Sequence, residues 1–484
     1  MSELKQAAAA QPAERAYLQW YVGVTLAVLL LMMLAGVAMR AAQGTVIQLS
    51  ADLFYQIMTL HGAGMVGIAG LAGVAIMWFF LRRYVSLTPG IFLANFVLFL
   101  IGVVMILGAI LLGKFAAGWT FLYPLPAKSM GLWSAHASAA FVGGLLVIGV
   151  GFLLFYLDAA RALMAKYGGL GRALGLNQLA SGKVDSAHPP AVVASTMVLI
   201  INTIGILAGA VVLVLTLVNL YYPEMEIDAL WAKNLIFFFG HVFINATIYM
   251  AVIAVYELLP QYTGRPWKIS RPFLAAWAAS TLMVMIVYPH HLLMDMVMPG
   301  WMLVLGQVIS YLSGIPVLLV TAYGALVQIH RANVHWALPA KFIMLAIFGW
   351  SAGVIPAVVD ATIVVNKVMH NTMWVPGHFH FYLLLGFLPM VLAFLFHISR
   401  GEHAAPAPKL SGIGFWAFMA SALGFVFMFL YSGLHSVPRR FAQHADAWLG
   451  YDQLATFFAV VVMLSMLVFI VNLLGRLGRI RLEA

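Results

Sequence analysis

Apolar residues fill this chain in long unbroken runs, separated by short polar segments. A run of about 20 apolar residues is what a helix needs to cross the roughly 30 Å hydrocarbon core of a bilayer. Twelve such runs occur, at 17 to 39, 54 to 82, 90 to 113, 133 to 157, 192 to 219, 234 to 259, 273 to 291, 301 to 327, 339 to 359, 373 to 398, 412 to 434 and 452 to 475. The pattern predicts an all-α integral membrane protein with twelve transmembrane helices. No internal repeat interrupts it, and no linker is long enough to separate domains, so residues 1–484 read as a single domain.

Composition supports the same picture. Of 484 residues, 64% are hydrophobic and 8% charged, against roughly 25% charged in a soluble domain, and mean hydropathy is +1.00. With both termini on the cytoplasmic side, the inner segments hold 18 of the 25 Lys and Arg, leaving 7 outside. The net charge of +10 is then mostly the positive-inside bias and calls for no nucleic-acid partner. The first apolar run follows an uncharged Ala/Gln stretch and is long enough to stay in the membrane, so no cleavable signal peptide is expected. The expected location is the cytoplasmic membrane of a prokaryote. With no cysteine, the chain can carry no disulfide, no cysteine-ligated iron–sulfur cluster and no c-type heme attachment.

Titratable rings inside such runs are the informative exceptions. His61, His241, His378 and His380 each lie five to eight residues into a span entered from outside, and His290 and His291 close the outward-going seventh. At a rise of 1.5 Å per residue, all six fall about 10 Å below the outer surface. Ionisable groups in hydrocarbon are costly and mark function, and imidazole is a common metal ligand. Six of them on four helices in one layer therefore read as metal ligands.

Spacing divides the six. In "HNTMWVPGHFHF", His378 and His380 are two residues apart, about 200° around a helix, so they serve two separate groups. His61, in "MTLHGAGMVG", is the natural second axial ligand to one of two hemes, with Gly62, Gly64 and Gly67 expected to leave room for the macrocycle. A bis-histidine heme is low spin and carries electrons, whereas a heme with one histidine keeps an open face. His241, with His290 and His291 of "YPHHLLMD", supplies three imidazoles for a second metal facing that open side.

These motifs, in this order and at this depth, resemble subunit I of the heme-copper oxidase superfamily along nearly the whole chain. They are "TLHG", the "GH" of the sixth span, "HH" of the seventh, "HNTMWVPGHFH" and "SVPRR". The wording "HNTMWVPGHFH" is most similar to the B-type branch, while "PHHLL" and "QYTGRPW" resemble the cbb-type branch. The resemblance implies that His61 and His380 ligate the low-spin heme, His378 the high-spin heme, and His241, His290 and His291 the second metal. It further implies that Arg439 and Arg440 meet heme propionates, as bidentate cations beside carboxylates, with His370, Trp119 and Tyr123 joining them on the outer rim.

Asn245 departs from the family pattern. A- and B-type oxygen reductases carry a tyrosine at this position, cross-linked to the sixth-span histidine; cbb-type enzymes place it in the seventh span, where this chain has Val284. Cytochrome-c-dependent nitric oxide reductases of the superfamily have glutamate at the position of Asn245, beside a non-heme iron. Splitting O₂ takes four electrons at once, one of them from the tyrosine; coupling two NO to N₂O and water takes two. The sequence therefore reads as a nitric oxide reductase with two hemes and one non-heme metal. Iron is favoured by the resemblance and copper by three imidazoles alone; an O₂ reductase is the alternative.

The B-type chain of proton-carrying hydroxyls is thinned here: Tyr256 and Ser310 remain, while Val252, Val317 and Val320 replace polar residues. Only Glu257 lies well within the inner half of a span, whereas Asp52, Glu224, Glu226, Asp228, Asp295, Asp360, Asp446 and Asp452 face the outer side. Protons are expected to enter from outside, with Asp360 as a candidate carrier there and Glu257, Tyr256 and Ser310 as the inner remnant. A partner subunit is expected to bring electrons, as a cupredoxin with copper A or a cytochrome c, with quinol as a further donor class.

Overall fold

The computed structural model describes residues 2–294, 299–401 and 408–482, with side chains from residue 12 onward. Asp295, expected among the outer carboxylates, lies outside the described residues. The described chain is all-helical apart from one isolated bridge, Thr372 to Pro438. Helices are the economical way to cross hydrocarbon because every interior N–H and C=O is paired within the segment.

Eleven helices among the described residues are long and apolar enough to span a bilayer, and Arg271–Ile286 is a shorter apolar helix that supplies the seventh. The first six spans are Ser2–Gln43, Ala51–Leu81, Pro89–Leu107 with its π-helical extension Gly108–Leu112, Ala135–Tyr167, Pro190–Tyr221 and Ala229–Thr263. Three of their starts are capped by side chains that satisfy orphan N–H groups: Ser50 accepts from Leu53, Ser134 from Ala137 and Asp228 from Trp231. The eleventh and twelfth are Lys409–Leu434 and Leu449–Leu474.

Spans seven to ten, expected as single helices, are each broken. The seventh helix stops at Ile286, and Tyr288–His291 form a 3-10 turn; Pro289 has no N–H to donate and its ring crowds the preceding turn. The eighth divides into Gly300–Ser313 and Ile315–Ile329, with Gly314 before Pro316. The ninth divides at Gly353 into Leu338–Ala352 and Val354–Ala361, followed by the short helix Ile363–Met369. The tenth runs Trp374–His380, then a π-helical turn Phe381–Phe387, then Leu388–Ile398. Such turns accumulate at functional sites because they re-aim side chains that a regular helix would misplace.

The second, sixth and tenth spans form the interior: 78%, 67% and 78% of their apolar windows are buried, against 11% for the eighth. These three carry four of the six histidines expected as ligands. Close approach depends on missing Cβ atoms. A Cβ on Gly102 would lie 2.5 Å from the carbonyl oxygen of Gly144, so the third and fourth spans touch there backbone to backbone.

Candidate metal centre

His241, His290 and His291 come together. One ring nitrogen from each lies within 4.8 Å of the other two, with ring centroids 5.1 Å (His241 to His290), 5.4 Å (His241 to His291) and 4.2 Å (His290 to His291) apart. Buried His241 Nδ1 and His290 Nε2 have no hydrogen-bond partner. Two buried imidazole nitrogens without partners, in a cluster of three histidines, fit a metal ion, since burying them unpaired is otherwise costly. The opposite nitrogen of His290, Nδ1, lies 2.9 Å from the Ser310 hydroxyl, which itself donates to the carbonyl of Gly306 at 2.6 Å. That fixes the ring and leaves Nε2 to bind. Ser310, expected on a proton route, thus sits against a candidate metal ligand, where sequence reasoning had not put it.

The sixth span presents Asn245 one turn beyond His241. Asn245 Nδ2 donates to the His241 carbonyl at 2.8 Å and lies 3.5 Å from His241 Nε2. Donation to a carbonyl orients the amide, and Oδ1 is then its acceptor end. Val284, at the cbb-type tyrosine position, is buried. Tyr288 donates to Asn234 at 3.1 Å, and Tyr249 and Tyr256 pack on Trp277. Tyr382 is different: its ring centroid lies 5.4 Å from that of His378.

His378 lies within Coulombic reach of His290 and His291. Its Nδ1 is 3.4 Å from Oδ2 of Asp360, a carboxylate held from its other side by the Asn366 amide. Asp360, expected as an outer proton carrier, is therefore a neighbour of a heme-ligand candidate. His380 and His61 are handled alike: Nδ1 of each meets a backbone carbonyl at 2.7 Å, that of Pro376 and of Met32 respectively. Both rings are thereby left with Nε2 to coordinate, and the two lie within Coulombic reach of each other. The glycines expected to clear space for a macrocycle do other work. A Cβ on Gly62 would strike Trp119, one on Gly64 would strike Met32, and Gly67 faces Phe99. The glycine that clears the His61 ring is Gly36, on the first span.

The outer rim is built by pairing two loops. Met373 donates to the Val437 carbonyl at 2.8 Å and Arg439 donates to that of Asn371 at 2.9 Å, around the Thr372 to Pro438 bridge. "SVPRR" is thus laid across the entrance to the tenth span, and His370 and Arg439 reach His291 electrostatically. Trp119 wedges between Gly62 and Gly240, each next to one of the histidines expected as ligands. Tyr123 packs with Val212, Ile227 and Ala232 at the outer ends of the fifth and sixth spans. At the inner end, Glu257 accepts from Tyr84 at 2.8 Å and pairs with Arg83 at 3.3 Å. Burial, and then the Glu257 carboxylate, hold the Tyr84 hydroxyl well above its ordinary value. Tyr256 shares a 2.6 Å hydrogen bond with Thr321.

The profile of the family described as "Cytochrome C and Quinol oxidase polypeptide I" matches residues 16–467. The chain belongs to this family. It is 22% identical over 368 residues to cytochrome c oxidase subunit 1 of Candida albicans, covering 74% of this chain and 66% of the relative. It is also 22% identical over 282 residues to that of Cereibacter sphaeroides, covering 56% and 49%. The matched region thus spans from about half to about two thirds of these relatives' length. A cryo-EM structure of a heme-copper terminal oxidase dimer has the same fold, with TM-score 0.79 at 20% identity over 96% of this chain and 84% of that one. The chain is accordingly a multi-pass membrane subunit I of the heme-copper oxidase superfamily.

Proposed function

We propose that this chain is the catalytic subunit of a respiratory nitric oxide reductase, running 2 NO + 2 e⁻ + 2 H⁺ → N₂O + H₂O. The observation that carries the reading is Asn245: an amide stands against His241, where the oxygen reductases that this family resembles carry a tyrosine. An amide neither yields a radical at accessible potentials nor titrates near neutrality. It can position a substrate or offer a neutral oxygen, which suits a two-electron coupling.

In this reading His61 and His380 hold a low-spin heme, His378 a high-spin heme, and His241, His290 and His291 a second metal, iron by preference and copper otherwise. When bound, the high-spin heme and second metal supply the two electrons. Ser310 orients His290 through its Nδ1, Asp360 accepts from Nδ1 of His378, and Asn245 stands beside the His241 ring with its amide N–H on the His241 carbonyl. Arg439 and Arg440, with His370 and Trp119, receive the propionates. Protons enter from the outer side without pumping. The membrane is the cytoplasmic membrane of a prokaryote, with both termini inside and the centre near the periplasmic face. Electrons come from a partner subunit, a cupredoxin with copper A or a cytochrome c, with quinol as the other donor class.

A second reading, reduction of O₂ to water, is the one the relatives favour, since each is named a cytochrome c oxidase subunit 1. Tyr382, packed on His378, is the tyrosine available to it. Turnover of NO under anaerobic conditions and of O₂, measured with one electron donor on the same purified complex, separates the two. Fast N₂O formation with slow O₂ uptake is expected. Rapid O₂ reduction that yields water, is lost in Tyr382→Phe and comes with no N₂O from NO would overturn the proposal.

A further inference from the structure

Arg40, Asp452 and His444 form a buried cluster that the metal centre does not use. Arg40 Nη2 lies 2.6 Å from Asp452 Oδ1, joining the last turn of the first span to the first turn of the twelfth. His444, from the loop that carries Arg439 and Arg440, has Nδ1 2.6 Å from Asp452 Oδ2, and both of these side chains are fully buried. Gln43 closes the network: Arg40 Nη1 donates to its Oε1 at 2.6 Å, while its Nε2 donates to the Phe441 carbonyl at 2.8 Å and faces His444 Nε2 at 3.3 Å. The Gln43 amide N–H on Nε2 leaves His444 Nδ1 to donate to Asp452. The Arg40–Asp452 pair sets one cation against one anion.

Its position gives the balance a consequence. The Arg40 guanidinium lies over the Phe429 ring at 5.0 Å, and His380 stacks on that ring at 5.0 Å and 24°. The cation therefore stands within about 10 Å of the ligand ring, with only aromatic carbon between, where charges interact far more strongly than in water. A buried ion pair is weak evidence of stabilisation in itself, because desolvation offsets the attraction. Here the pair is aimed at an electron carrier.

We propose that Asp452, held in place by a hydrogen bond from His444, is the counter-ion that sets the reduction potential of the low-spin heme by pairing with Arg40 behind Phe429. Reduction of the heme adds one negative charge. A bare cation behind His380 favours the reduced form and a bare carboxylate disfavours it, so the ion pair holds the potential between these extremes. These are positioning residues, and the inference rests on His61 and His380 as low-spin ligands, an assignment shared by both functional readings.

The test is anaerobic potentiometric titration of purified holoenzyme, read at the low-spin heme absorption band. Asp452→Asn should raise that potential, Arg40→Gln should lower it, Arg40→Lys should leave it near the wild-type value, and the neutral Arg40→Gln/Asp452→Asn double variant should return towards wild type. A single variant that loses the low-spin heme, with recovery in the double variant, carries the same meaning, because restored charge balance is what rescues it. An unchanged potential in Asp452→Asn, shifts of both single variants in one direction, or loss of the heme in all three charge-removing variants would overturn the proposal. A low-spin band that survives His380→Ala would instead sink the ligand assignment beneath it.

Discussion

His378 and His380 are the same residue type, two positions apart on one helical segment, and the fold gives them opposite surroundings. His378 turns Nδ1 to a carboxylate, Oδ2 of Asp360 at 3.4 Å. His380 turns Nδ1 to a neutral carbonyl, that of Pro376 at 2.7 Å, and stacks on Phe429 with Arg40 beyond it. A carboxylate partner raises the basicity of an imidazole ligand and stabilises the more oxidised metal; a nearby cation does the reverse. Two candidate ligands of one residue type can thus be given two electronic roles by what stands behind each ring.

The largest effects come from removing the rings themselves. His380→Ala or His61→Ala should abolish the low-spin visible spectrum and leave a high-spin heme that binds CO, whereas His378→Ala should remove CO binding and leave the low-spin band. A normal low-spin spectrum in either of the first two variants would break the comparison outright.

Exchanging the carboxylate sharpens it. Asp360→Asn swaps a charged hydrogen bond for a neutral one, a difference of about 1 kcal/mol, or several-fold in the reduction equilibrium. The potential of the high-spin heme should rise and its iron–histidine stretch in resonance Raman should fall, while the low-spin heme is unmoved. Equal shifts at both hemes would mean that Asp360 acts on the rim as a whole.

Across the site, Ser310→Ala tests whether the second metal depends on an oriented His290 as the hemes depend on theirs. Lost outer partners cost about 10- to 100-fold in metal affinity, and a neutral hydroxyl belongs at the low end. Elemental analysis of the complex should give about two heme irons and one further metal per chain, and Ser310→Ala should lose only that further metal on dialysis against a chelator. The smallest change is Asn245→Ala, which should slow N₂O formation several-fold, in keeping with about 1 kcal/mol for one neutral interaction, with the metal retained. Asn245→Glu should be tolerated better than Asn245→Ala. Metal loss in Asn245→Ala, or no change in turnover, would remove the amide from the mechanism.

Much of this is legible in the residues. Runs long enough to span a bilayer predict helices wherever they occur, and the short helix Arg271–Ile286 overlaps most of its predicted run, 273 to 291. The break after it is also written in the chain, since Pro289 cannot continue a helix. The partner of His380 is one turn away, so the contact with Pro376 is local. Arg40, a cation at the end of an apolar run, carries a signal of its own in the sequence, but nothing there points it at Asp452, which reads as one of several outer carboxylates.

What the sequence by itself determined is the set of helices, the six histidines in one layer, and the separation of His378 from His380 onto opposite sides of a helix. These follow from helical rise and twist, which depend on nearest neighbours along the chain. Only the tertiary structure decided which group stands behind each ring: Met32 for His61, Asp360 for His378, Ser310 for His290, and Arg40 beside an Asp452 that lies 412 residues away in sequence. Hydrogen bonds and ion pairs act over about 3 Å, so they register the packing of distant helices to within a fraction of a turn. The same packing turned Gly62 and Gly64 towards Trp119 and Met32 and set Tyr123 against Val212, Ile227 and Ala232, because which neighbour fills a given gap is a property of the assembled bundle and of no single span.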